Sequence, residues 1–159
     1  MFKLRQIKFG LLVIFLWGLL PKISLAQKSS LSNLILAAGA NQVKEFLMGN
    51  TGGSYSLASI ANQDSKGNPC LGYGDPEPDH KMILKSDFAQ LLLQIDSGGS
   101  DTTLLIKGTK DDSIRCAYGQ DNSRDAIVQG SNWSADTYSI WVGSMSPNQR
   151  SPYRLLVQS

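Results

Sequence analysis

The chain has little of what most catalytic or metal sites are built from. Among its 159 residues are one histidine, His80, and two cysteines, Cys70 and Cys116. A single imidazole cannot complete a four-ligand zinc set without carboxylates. The sequence also holds no P-loop, no H-E-x-x-H and no dinucleotide fingerprint. Long apolar runs are missing beyond the first 26 residues, and so is any surviving surplus of positive charge. Lys3, Arg5, Lys8 and Lys22 fall in that leader, so of 15 basic residues 11 remain beyond it, against 13 acidic ones, a formal net charge of −2. Without a basic cluster, the electrostatic footprint of a nucleic-acid binder is absent.

The leader itself reads as an export signal. A basic start precedes the apolar run Leu11 to Leu20, and Ser24-Leu25-Ala26 supplies the small residues behind which a signal peptidase cuts, so the mature chain is expected to begin at Gln27. A retained membrane anchor is the competing reading. It suffers from the break at Pro21-Lys22, because a spanning helix needs about 20 apolar residues. The expected location is the periplasm, the cell envelope or the exterior, with no stable membrane span in the mature chain. In such oxidising surroundings Cys70 and Cys116 read first as a disulfide, with two free thiols or half of a metal site as alternatives.

The remaining 133 residues suffice for one domain with a real core. From Ser54 onward, short apolar or alternating runs are separated by Gly, Asn, Asp, Ser and Pro, the pattern of an all-β chain. Seven runs stand out: Ser54 to Ile60, Lys81 to Leu84, Ala89 to Asp96, Thr103 to Lys107, Ser113 to Ala117, Thr137 to Gly143 and Tyr153 to Gln158. In the third, Ala89, Leu91, Leu93 and Ile95 share one face. In the sixth, Tyr138, Ile140 and Val142 lie opposite Thr137, Ser139 and Trp141. Such half-wet antiparallel strands predict an antiparallel β-sandwich of about seven to nine strands. Between Leu31 and Met48 the spacing of Leu34, Ile35 and Ala38 instead predicts a short helical or irregular lead over 27–51, interrupted at Gly39.

Three sets of residues are candidates for chemistry. Asp101, Asp111, Asp112 and Asp121 lie in turns and offer the oxygen ligands of a structural calcium ion, although Asp is also simply a good turn residue. Trp133 and Trp141, one in a polar stretch and one opposite the apolar face of its strand, are candidates for contact with a sugar ring or a partner chain, whereas Tyr138 and Tyr153 read as core. Ser54, after Gly52-Gly53, could pair with His80 in a hydrolase, but the spacing is not that of a nucleophile elbow. Asn132-Trp133-Ser134 also matches a glycosylation acceptor.

From Gly52-Gly53-Ser54 through Cys70-Leu71-Gly72-Tyr73, Pro78-Asp79-His80, Asp101-Thr102-Thr103-Leu104, Cys116 and Thr137-Tyr138-Ser139-Ile140-Trp141-Val142-Gly143 to Tyr153-Arg154-Leu155, the chain resembles the bacterial pre-peptidase C-terminal domain family over roughly residues 52–158. The resemblance implies a jelly-roll-like β-sandwich accessory module of a secreted protein, without catalytic residues. It carries calcium or polymer binding as roles of some relatives. Two positions depart from the pattern. Ala117-Tyr118-Gly119-Gln120 follow Cys116 where an acidic pair is common, and Ala135-Asp136 precede Thr137 where a glycine is usual. The expected function is an exported, non-catalytic binding module, standing without a protease domain, that recognises a protein or a cell-envelope polysaccharide. A small secreted serine-type hydrolase and a structural subunit of an envelope assembly are the rival readings.

Overall fold

A computed structural model of the chain describes residues 31–37, 39, 42–110, 113–120 and 123–159. The leader and Asp111, Asp112 and Asp121 lie outside the described residues. Among the described residues are eleven strands: β1 (Ser32–Leu36), β2 (Lys44–Asn50), β3 (Tyr55–Ser56), β4 (Tyr73–Gly74), β5 (His80–Leu84), β6 (Phe88–Asp96), β7 (Thr102–Gly108), β8 (Ile114–Tyr118), β9 (Ile127–Trp133), β10 (Thr137–Ser144) and β11 (Pro152–Gln158). No helix among these residues is long and apolar enough to cross a membrane.

The strands form two sheets. In the first, β10 is the axis: β7 lies on one side of it and carries β8 as the edge, while β5 and β4 share the other side and lead to β1 and β3. The second runs β2-β11-β6-β9. All these pairings are antiparallel except β1 with β5. Alternation decides which side chains meet between the sheets. Leu91, Leu93 and Ile95 of β6 and Tyr153, Leu155 and Val157 of β11 face Met82, Leu104, Ile106, Ile140 and Val142 across the interior. The chain is thus an all-β sandwich. Ala89 is exposed, and Phe88 takes the buried place at the start of β6.

The helical lead expected over 27–51 is overturned where the structure describes it, since Ser32–Leu36 and Lys44–Asn50 are strands. Leu34 and Leu36, two residues apart, point into the core, and Ile35 between them is exposed. The helical spacing of Leu31, Leu34 and Ile35 was coincidental. Pairing with β5 and β11 satisfies the backbone groups of both segments, and that tertiary contact outweighs weak local propensity.

A second, smaller core lies on the outer face of the first sheet. Leu57, Cys70, Leu105, Cys116 and Trp141 pack together there, because the chain between β3 and β5 folds back over β7 and β10. That cover explains why five consecutive residues of β7, Thr102 to Ile106, are buried on both faces. Gly72, at φ +100°, makes the close approach workable, since a Cβ there would sit 2.4 Å from Thr103 Oγ1. Cys70 and Cys116 are joined in a disulfide, with Cα atoms 5.1 Å apart.

Candidate functional site

The two expected aromatic contact residues are both buried. Trp133 ends β9 with 0% exposure, edge-on to Tyr138 at 5.2 Å, and its indole N–H donates to the Gly130 carbonyl. Trp141 does point away from the main core, as its alternation indicates, but the returning loop leaves it 8% exposed and accepts its N–H at the Pro76 carbonyl. Neither ring offers a face to a ligand. Tyr138 and Tyr153 are core residues, as expected.

Of the candidate calcium ligands, Asp101 alone is described. It is exposed and lies 3.7 Å from the Arg124 guanidinium. Among the described residues no group of three or more His, Cys, Asp or Glu is placed to hold a metal ion. Asp136, just before β10, ties its turn together. Its carboxylate accepts hydrogen bonds from the amides of Thr109, Lys110 and Thr137 and from the Thr109 hydroxyl. Burial works to raise its pKa, but these donors outweigh it and hold the group at about 2.

His80 is enclosed between the sheets, with 2% exposure. Its Nδ1 hydrogen-bonds the Ser32 hydroxyl and its Nε2 lies 2.7 Å from the Tyr153 hydroxyl, so a polar chain runs from β1 through β5 to β11. Burial pushes His80 down to about 4, which keeps it neutral at pH 7, and pushes Tyr153 up. Both ring nitrogens are engaged, and Ser54 is exposed and contacts neither. Next to it, Asp79 is raised to about 6, first by burial and secondly by the Asp75 carboxylate, although one of its oxygens accepts the Val142 amide at 2.8 Å.

A concavity among the described residues lies elsewhere, where β8 and β9 border the two sheets. Two cavities of about 310 and 360 Å³ share Asn68, Cys116 and Ile127 and join into one groove. One wall is the loop 64–69 and the other is β9 from Ile127 to Asn132. The loop is folded by its own acid. Asp64 accepts the amides of Lys66 at 2.9 Å and Asn68 at 2.8 Å, and the Asn68 side chain at 2.9 Å. The Cys116 amide, at 3.5 Å, adds a weaker contact. Burial works to raise the Asp64 pKa, and these hydrogen bonds together hold it below the ordinary carboxylate range. The disulfide fastens the end of this loop to β8.

Arg115 of β8 lies across the groove, half-buried. Its guanidinium rests 3.8 Å from the centre of the Trp133 ring, while the Ser113 hydroxyl accepts from one terminal nitrogen at 2.9 Å and the Asn132 carbonyl from the other at 3.4 Å. Asn132 adopts φ 57°, in the left-handed region that non-glycine residues seldom occupy. The rest of the lining mixes amides and hydroxyls, with Gln129 and Ser131 exposed on β9, and apolar groups, of which Ile127 is exposed and borders both cavities. Of these residues the expected set held Cys116 as a disulfide partner, Trp133 as a contact candidate and Asn132 in the glycosylation pattern; Arg115 and the loop 64–69 were not in it. The one available signal was Asp64-Ser65-Lys66-Gly67-Asn68, a run with the composition of an Asx-type turn.

No family model matches the chain, and no curated protein matches it. Among solved structures it is similar to the pre-peptidase C-terminal domain of a collagenase from Bacillus anthracis, at 14% identity and a TM-score of 0.46, over 80% of this chain and 95% of that one. The sandwich assignment rests on the strand pairing itself.

Proposed function

We propose that the protein is an exported, non-catalytic binding module of the pre-peptidase C-terminal kind, and that it holds an extended ligand in the groove between β8 and β9. The observation that carries the reading is the groove's construction. It has preformed walls, a loop stiffened by the buried Asp64, a disulfide at that loop's root and a lining rich in hydrogen-bonding groups. Two motifs of the family resemblance, Asp101 to Leu104 and Thr137 to Gly143, fall on or at the start of β7 and β10, the central pair of one sheet, which agrees with a shared scaffold. Export is supported by the leader sequence and by the disulfide.

The test is retention of the mature, oxidised protein on cell-envelope polysaccharide and on immobilised lysate proteins, comparing the native chain with Gln129→Trp. The exposed Gln129 lines the groove, so the larger ring blocks it without touching either core. Saturable retention of the native chain that falls at least about tenfold in the variant is the expected result for a pocket-centred contact. Equal retention of both proteins refutes the groove as the binding surface.

One observation favours the rival hydrolase, the Ser32–His80 hydrogen bond. Against it, His80 is spent on a second partner in the core, and a base must reach the proton it removes in a substrate-accessible pose. Labelling of Ser32 by a fluorophosphonate, abolished by Ser32→Ala, would reverse this judgement.

A further inference from the structure

We propose that the ligand of this groove is a carboxylate-bearing polysaccharide, a chain of uronic acid units, and that Arg115 is the group that recognises its carboxylates; the inference rests on the binding-module reading above. A guanidinium fits a carboxylate through parallel N–H donors in a plane, and its affinity depends on how firmly that plane is held beforehand. Here the plane is held on three sides, by the Trp133 ring, the Ser113 hydroxyl and the Asn132 carbonyl. These contacts use fewer donors than a guanidinium carries. Arg115 itself is part of the groove's lining.

Three features of the surroundings are fitted to this placement. Gly130 lies under the guanidinium, and a Cβ there would stand 3.3 Å from both Arg115 Nε and the Trp133 indole nitrogen, so glycine keeps the stack close. Asn132 tolerates an uncommon backbone conformation while its carbonyl anchors Arg115, and such strain persists only where the surrounding structure enforces it. Among the described lining residues the one acid is Asp64, and its oxygens are turned toward amide donors of its own loop and of Cys116.

Among the described lining residues two basic side chains, Arg115 and Lys66, stand against the single carboxylate of Asp64, so their balance is positive although the chain beyond the leader is net acidic. Lys66, exposed on the loop wall, forms no ion pair among the described residues and adds to that sign. Sugar hydroxyls suit the remaining lining, since the amides of Asn68 and Gln129 and the hydroxyls of Ser65 and Ser131 both donate and accept. An acidic peptide would match the charge as well and could set an apolar side chain against Ile127; the number of amides and hydroxyls along the lining favours the sugar.

The experiment is calorimetric titration of the mature, oxidised protein with oligomers of polygalacturonate and with the same oligomers fully methyl-esterified, at low and at raised salt. The acid form should bind at least about tenfold more tightly than the ester, and added salt should narrow the gap. Arg115→Lys keeps the charge but loses the planar fork, and should cost about tenfold in affinity for the acid form. Because Arg115 also covers Trp133, Lys66→Ala on the exposed loop serves as a second variant, with a few-fold loss expected from the missing charge. Equal binding of acid and ester, or binding unchanged in both variants, overturns the uronate assignment while leaving a groove-binding module intact. Binding of polyglutamate in preference to polygalacturonate overturns it in favour of an acidic protein partner. If Gln129→Trp is without effect on every ligand that binds, the groove reading fails with it.

Discussion

Asp79 and His80 are neighbours in sequence with opposite electrostatic problems. Asp79 is raised from 3.8 to about 6, so the folded protein holds it at a cost wherever it is ionised; its favourable contribution exists below the unfolded pKa and is lost as pH rises through about 6. His80 is lowered from 6.5 to about 4, so its contribution is present above 6.5 and is lost as pH falls through about 4. Between those limits the two trends offset each other. Asp79→Asn keeps an acceptor for the Val142 amide and removes the costly charge. At pH 8 urea unfolding should find it about 1–2 kcal/mol more stable than the native chain, a figure discounted for the partial exposure of Asp79. That advantage should shrink as pH falls through about 6 and vanish near 4. A pH-independent difference would show that the carboxylate is not penalised by burial. The exchange was invisible in the sequence, where Pro78-Asp79-His80 marks only a turn leading into a strand.

At the scale of elements, the loop that returns between β3 and β5 makes the largest difference between expectation and structure. Trp141 was legibly on the outer face of its strand, by its opposition to Tyr138, Ile140 and Val142. What covers that face could not be read, because the cover comes from residues some seventy positions earlier in a stretch of turn formers. The disulfide holds the cover in place across a sequence separation of 46 residues. Replacing both cysteines by serine should lower stability by up to about 4 kcal/mol in urea unfolding. It should also speed proteolysis within 57–72, the segment whose anchor is lost. An unchanged unfolding midpoint would mean that Leu57 and Trp141 hold the cover without help. The missed strand β9 has a related cause: Gln129, Gly130, Ser131 and Asn132 look like a loop, and only pairing with β6 makes them a strand.

For the molecule as a whole, the sandwich is completed by its first two strands. β1 covers the edge of β5 and sends Leu34 and Leu36 into the core, and β2 covers β11 along its full length. A chain begun at Gly52, where the family resemblance starts, would expose two unpaired edges and leave those core positions empty. It should be recovered largely aggregated, or with a thermal midpoint lower by 10 °C or more, on the order expected for losing several kcal/mol from a domain of this size. A soluble fragment with native thermal behaviour would show the first two strands to be dispensable. The sequence by itself determined the all-β class and the central strands β6, β7, β10 and β11, because alternation and residue chemistry are local properties; it made a disulfide the first reading of Cys70 and Cys116, which the structure joins. The tertiary structure alone decided that Ser32–Leu36 and Lys44–Asn50 are strands, that Trp133 and Trp141 are buried and that Arg115 lies on Trp133 beside the Asp64 loop. Those outcomes depend on which segments meet across the fold, and a contact between distant segments leaves no periodicity in either of them.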